Sequence, residues 1–329
     1  MKLQEIYRKI IDLGIEADIR GKKQIAQILS QKKDYYEKLE ENKKVFFDKD
    51  ALFNPFSDTR ILFGPSDVNI NSMIVGIDVD VEELLFVQML KDKGEKIDLV
   101  VSHHPVGKAY ASFYEVMDLQ VDLFHKEGLS LGISENLLTQ RKAEVERRVS
   151  SANHQRCVDI AKWLNINLLC AHTPADNLAY AYIKELMDKN KPATLGKILD
   201  ILFSIKEYQD AASNNNPPKI IIGSNSSRVS KIHIEFTGGT EGPVNIYSKL
   251  SASGIDTIIA MHQSEEHFKK CKEENINVIF APHIASDTLG MNLLLDNLEK
   301  KEKFKIYEFS GFRRFSRVKK LGYDSRGIC

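Results

Sequence analysis

Two adjacent imidazoles, His103 and His104, close the apolar run Ile97-Asp98-Leu99-Val100-Val101 and stand directly before Pro105. The run reads as a short buried strand, and the carboxyl edge of such a strand is where α/β proteins usually build sites. An extended backbone sends neighbouring side chains to opposite sides, and Pro105 biases His104 toward that extended form. A single metal ion would struggle to take both rings, whereas two ions side by side can take one each. A hydrogen-bonded structural role is the plain alternative for either histidine.

Two more strand ends carry the same residue types. Asn167-Leu168-Leu169-Cys170-Ala171 leads into His172 and Asp176, and Val278-Ile279-Phe280-Ala281 leads into His283 and Asp287. In the second case a helix expected over 286–301 has His283 and Asp287 straddling a strand-to-helix turn. Either aspartate could instead be a helix cap favoured by the helix dipole. His172 suits orienting Asp176 or a ligand imidazole, and a core or capping role is equally open. His262, at the end of the strand Thr257-Ile258-Ile259-Ala260, could shuttle a proton or touch substrate, and Glu265 or Glu266 could do likewise. For the glutamates the alternative is an acidic first helical turn capped by Ser264.

The elements that must position these residues alternate. Residues 73–78 read as a strand, Val81 to Lys93 as a helix ended by Gly94, and 97–102 as the strand bearing the histidines. Residues 110–165 read mainly as helix, with an amphipathic segment over 145–164 whose Trp163, the sole tryptophan, is expected in the core. Residues 1–45 form an amphipathic N-terminal helical appendage, packed on the body or on a partner subunit. A polar break, Ala212 to Pro218, separates a first α/β half (46–211) from a second (212–329). Strand and helix alternation of this kind predicts an α/β class with mostly parallel or mixed sheets.

Composition narrows the function. The 329 residues are 43% hydrophobic and 28% charged, with zero formal net charge, so no global field argues for nucleic acid or membrane. The N-terminus shows no signal-peptide pattern and no run approaches a membrane span. Cys157, Cys170, Cys271 and Cys329 are scattered without a C-x-x-C pair, as in reduced cytoplasmic proteins. The turn Gly238-Gly239-Thr240-Glu241-Gly242 could offer backbone N–H groups to a phosphate, though a tight turn explains it as well. The basic cluster from Arg313 to Lys320 reads as a solvated tail or subunit contact before a nucleotide or RNA contact.

The strand ending Ser-His-His-Pro, the later His-Thr-x-x-Asp and the Pro-His-x-x-Ser-Asp near the C-terminus together resemble the Nif-three-like family, also called GTP cyclohydrolase type-two-like. The resemblance spans roughly residues 50–310 in order. It implies a Nif-three-like fold, two α/β halves with mixed sheets surrounding a dinuclear metal site, assembled as a homohexamer. His103, His104, Asp176 and His283 match the family's metal ligands. Asp287 stands where most members carry a glutamate bridging the ions, one methylene longer. Residues 53–64 depart from a Trp-Asp-Asn type motif, in the segment Phe53 to Arg60.

The implied cofactors are two divalent ions per subunit, drawn from zinc, manganese, iron, cobalt or nickel, which suit imidazole and carboxylate donors. The implied activity is that of a metal-dependent hydrolase acting on a nucleotide such as GTP, with ring opening by metal-held hydroxide and release of formate. A non-catalytic metal-binding regulatory or scaffold oligomer is the alternative.

Overall fold

The computed structural model describes residues 1–318, so Lys319, Lys320 and Cys329 lie outside the described residues. Helices α1 (Leu3–Ala17) and α2 (Gly21–Lys38) and the single turn α3 (Glu41–Lys44) open the chain. Next come β1 (Arg60–Phe63), β2 (Ser72–Gly76), α4 (Val81–Asp92) and β3 (Leu99–Ser102). The helical stretch that follows divides into α5 (Gly107–Ala111), α6 (Asp118–Lys126), α7 (Leu131–Ser150) and α8 (Arg156–Trp163). Strand β4 (Leu168–Cys170) runs into α9 (Thr173–Asn190), α10 (Leu195–Phe203) and α11 (Lys206–Ser213).

The second half holds β5 (Lys219–Ile222), β6 (Ile232–Glu235), α12 (Ile246–Ala252) and β7 (Thr257–Ala260). It continues through α13 (Glu265–Glu273) and β8 (Asn277–Phe280) to α14 (His283–Glu299) and β9 (Lys305–Glu308). One sheet has the order β1-β4-β3-β2-β9 and the other β5-β8-β7-β6. Only β1 and β5 run antiparallel to their neighbours.

The two sheets repeat one plan. In each, an antiparallel edge strand with an irregular register pairs with the strand that feeds a long helix, α9 or α14. Gly64 and Gly223 both take positive φ, each against an asparagine, Asn167 or Asn277, at the start of the strand beside it. A side chain at either glycine would be strained by φ and blocked by that amide. Helices α9 and α14 then pack against one another between the sheets.

The boundary expected near residue 212 falls at the end of α11, but the chain does not stay in its second half. After α14 it returns to the first sheet, where β9 lies parallel to β2 with Met73 opposite Ile306. Nor is α1 an appendage. Its Leu3, Ile6, Tyr7, Ile10 and Ile11 are buried in the same core as Met73, Val75, Leu99 and Val101. The periodic apolar face seen in the sequence is a core face, while α2 buries only Ile25.

Trp163 is a clear correction, being 88% exposed. The segment 145–164 is two helices, not one, because the chain turns between Ser150 and Arg156. That break resets the helical phase. Cys157, Val158 and Ala161 take the inward stripe of α8, and Trp163, two residues past Ala161, points away.

Among the described residues of the basic stretch near the C-terminus, Arg314 and Arg317 are paired while Arg313 is exposed. Arg314 pairs with Asp296 and Glu299 of α14, and Arg317 forms a two-pronged pair with the buried Glu207 of α11 at 2.7 and 2.8 Å. Asn292 of α14 also reaches Glu207 at 3.0 Å. These contacts strap α11 to α14. No helix among the described residues is long and apolar enough to cross a membrane.

Candidate metal centre

The register of the parallel strands places the first donors. Gly76 lies opposite Ser102, and the next backbone amides continue the ladder, His103 N–H to Gly76 O and His104 N–H to Ile77 O. The chain bends at His103 and His104, just past β3, so the two rings do not leave on opposite sides as an extended strand would send them but converge, with centroids 5.2 Å apart. His103 is wholly buried and His104 partly so. Each is oriented through Nδ1. His103 donates to the Ala171 carbonyl at 3.2 Å and His104 to Asp78 Oδ1 at 2.7 Å. Because both partners are acceptors, Nδ1 carries the proton and Nε2 is left for a ligand.

Helices α9 and α14 supply the carboxylates. Helix α14 begins at His283, earlier than expected, so His283 and Asp287 do not straddle a turn but lie one helical turn apart on one face. Asp176 likewise sits inside the first turn of α9, where its backbone is already helical, and is not a cap. His103 Nε2 is 3.4 Å from Asp176 Oδ1 and 3.5 Å from Asp287 Oδ1. The other Asp287 oxygen, Oδ2, is 3.3 Å from His104 Nε2 and 3.4 Å from His283 Nε2. Asp287 thus turns one oxygen toward each histidine of the vicinal pair.

Three sets of donors converge within 4.8 Å: His103 with Asp176 and Asp287, His104 with His283 and Asp287, and His103 with His104 and His172. His103 Nε2 and Asp287 Oδ2 are buried atoms without hydrogen-bond partners. Buried polar atoms are rarely left so. Nitrogen and oxygen donors at this spacing, with two of them orphaned, fit a divalent cation.

The electrostatics describe the same cluster in proton terms. Burial lowers the His103 imidazolium, but the Asp287 and Asp176 carboxylates outweigh it and hold its pKa well above the ordinary value. His104 is likewise depressed by burial yet raised to about 9 by Asp287 and Asp78. For His283 burial wins, reinforced by repulsion from His262, His104 and His103, and its pKa is lowered. Burial opposes ionisation of Asp287, but the surrounding imidazoles hold its carboxyl far below the usual range.

Two supporting carboxylates escape a reading of the sequence alone. Asp78 binds His104. Asp58, wholly buried, accepts from His172 Nδ1 at 2.8 Å and Thr173 Oγ1 at 2.6 Å, and Arg60 adds to its stabilisation. Burial alone would raise the Asp58 carboxyl, yet the His172 hydrogen bond and charge keep it low. Asp78 was detectable, since two residues beyond the Gly76–Ser102 pair bring residue 78 opposite 104. Asp58 lies in a loop before the antiparallel β1, where no periodicity announces it.

The remaining sequence candidates separate. His262 joins the cluster's rim, its ring 4.8 Å from that of His283 and its Nδ1 3.3 Å from Glu241 Oε1. That hydrogen bond, ahead of burial, raises the His262 pKa. Glu265 is not part of the site. It lies exposed in the first turn of α13, beside Lys269 at 3.6 Å, with Ser264 as cap. Glu266 shares that exposed turn. A cleft opens in front of His172, Asp176, His283 and Asp287, with the Gly238–Gly242 turn on its far side.

The family profile of Duf34/NIF3 (NGG1p interacting factor 3) matches residues 143–311, just over half of the chain. The chain belongs to the NIF3 family. Its structure is similar to the crystal structure of a NIF3 superfamily protein from Sphaerobacter thermophilus, at 24% identity and a TM-score of 0.68, covering 78% of this chain and 92% of that one. That likeness establishes a NIF3 fold. Reduced HcgD from Methanocaldococcus jannaschii is more distant, at 14% identity, 82% and 94% coverage and a TM-score of 0.49. None of the curated proteins matches this NIF3-family chain.

Proposed function

We propose that the chain holds two divalent metal ions and is a metal-dependent hydrolase. The observation that carries this reading is the Asp287 carboxylate, divided between His103 on one side and His104 with His283 on the other. His103, Asp176 and Asp287 would hold one ion, and His104, His283 and Asp287 the other, with His172 in reach of the pair. The aspartate at 287 turns an oxygen to each group despite its shorter arm. Bound cations of this kind supply Lewis acidity toward water and a substrate oxygen.

The chain's own residues then have defined tasks. Asp78 and Asp58 fix the tautomers and ring planes of His104 and His172. Buried walls of β3 and α14 limit water to the cleft side. His262, its pKa raised by the hydrogen bond to Glu241, stands beside the cluster where it could donate a proton to a leaving group. GTP-cyclohydrolase-type ring opening is one reaction such a centre could serve. The family expectation of a cytoplasmic homohexamer forms part of this proposal.

Metal analysis tests the centre. Wild-type protein is expected to retain two ions per chain, and His103→Ala and His283→Ala one or none; unchanged content in both variants would remove the ligand assignment. Turnover separates enzyme from scaffold. Metal-loaded protein that releases neither formate from GTP nor product from a panel of hydrolysable substrates would leave a binding or regulatory role. Light scattering on the same sample reads the assembly state.

A further inference from the structure

The cleft in front of the cluster is lined by no lysine or arginine among the described residues. Beyond Asp176 and Asp287 it carries two further carboxylates, Glu235 and Glu241. Sites for oligophosphates rely on guanidinium or ammonium groups, or on free backbone N–H groups of glycine turns. The glycine turn here carries a charge of the wrong sign for such a group. Its Glu241 carboxylate accepts the Ser264 N–H at 2.6 Å and faces the cleft with negative charge.

The wall opposite the metal cluster has a different character. Gln120 donates through Nε2 to the carbonyls of Gly238, at 2.8 Å, and Thr240, at 2.6 Å. Two carbonyl partners fix the amide's orientation, so its Oε1 must be the remaining atom, and that atom is buried without a partner. His233, on β6, is wholly buried, and neither ring nitrogen has a hydrogen-bond partner. Its nearest carboxylate oxygens, on Glu127 and Glu235, are 3.6 and 3.8 Å away. Glu235, two residues further along β6 on the same face, accepts Tyr247 O–H at 3.1 Å through one oxygen only. Burial raises the Glu235 pKa. Phe124 and Phe236 supply flat apolar surface beside these groups, with the Phe124 ring 5.9 Å from that of His233.

Orphaned acceptors beside aromatic faces specify a ligand. We propose that this wall recognises an uncharged cyclic amide, such as a nucleobase, ureide or lactam, through its ring N–H groups, and that the cleft selects against oligophosphates. Ring N–H donors would meet Gln120 Oε1 and the Glu235 carboxyl, with His233 able to donate or accept beside them. This names the substrate class of the hydrolase proposed above and rests on that reading for which end of the ligand reacts. Recognition by the wall itself involves no metal ligand.

The test uses the full chain stripped with chelator, so that metal–phosphate contacts cannot contribute. Ligand-observed NMR and calorimetry would compare uracil, hydantoin and guanosine with their N-methylated counterparts, and with inorganic triphosphate. At least one N–H form is expected to bind about tenfold more tightly than its methylated counterpart, the effect of one lost hydrogen bond to a partly charged group. Glu235→Leu, which removes both acceptor oxygens at similar size, is expected to reduce that preference while near-UV circular dichroism stays native. Equal binding of N–H and N-methyl forms, no binding of any cyclic amide, or tighter binding of triphosphate would overturn the proposal. Should the variant misfold, the wild-type comparison still decides. Metal content is read separately, so failure of the metal centre and failure of this wall give different results.

Discussion

At the residue scale the proposed centre would depend on groups outside its donor set. Asp78→Asn keeps a partner for His104 Nδ1 but removes the charge that makes the ring a strong donor. Metal affinity is expected to fall about 10- to 100-fold, measured by competition with a chromogenic chelator. Asp58→Asn should act similarly through His172, and an unchanged affinity in both would assign these aspartates to packing alone. The donors themselves were legible because imidazoles and carboxylates recur at strand ends. Asp287 was the least certain of them from its arm length, and the structure gives it the central position. Glu265 was misplaced for an ordinary reason: an acidic first turn is what a capped helix prefers, and it faces solvent. Asp78 needed a strand register to be seen, and Asp58 a tertiary contact.

At the element scale the separation of Asp176 from Asp287 is set by how closely α9 and α14 cross. Gly290, one turn beyond Asp287, lies where any Cβ would collide with the backbone carbonyl of Ala175, the neighbour of Asp176. Gly290→Ala is expected to destabilise the fold by roughly 1–3 kcal/mol and to push the two carboxylates apart. Denaturant unfolding and metal binding should therefore fail together; loss of stability with intact metal affinity would show that the crossing does not tune the site. Trp163→Ala, by contrast, should change stability by no more than about 0.5 kcal/mol, because the ring packs on nothing. Strands and most helices could be read from apolar runs. The phase of α8 could not, since a five-residue turn rotates every later position and leaves no mark in the hydrophobic count. The repeated sheet plan was also hidden, although Ile166-Asn167 and Ile276-Asn277 open equivalent strands with the same pair.

Across the whole molecule, protons and any bound metal would compete for one cluster. His104, ordinarily near 6.5, is raised to about 9, and His103 is raised as well. In metal-free protein the stability tied to these charges is complete below the unfolded value and is lost as pH rises through the folded one. Metal uptake displaces the same protons, so its affinity climbs over that interval. The gap in Tm between metal-loaded and metal-free protein is expected to widen from pH 6.5 to 9, by differential scanning calorimetry; a narrowing gap would contradict the cluster's role. Cys157, Cys170 and Cys271 are buried, and burial pushes all three thiols up, Cys157 and Cys271 to about 12. These three should resist a thiol reagent until the chain unfolds. The return of the chain to its first sheet has a further consequence, one of timing. A nascent chain that has emerged through Asp176 carries His103, His104 and Asp176 but neither His283 nor Asp287, and the β9 edge of its first sheet is not yet made. The stretch from Asp176 to Asp287 takes roughly 5–20 s to synthesise at ordinary rates. During that interval the growing chain lacks part of the proposed donor set, so on that proposal a metal ion would load only into the finished protein.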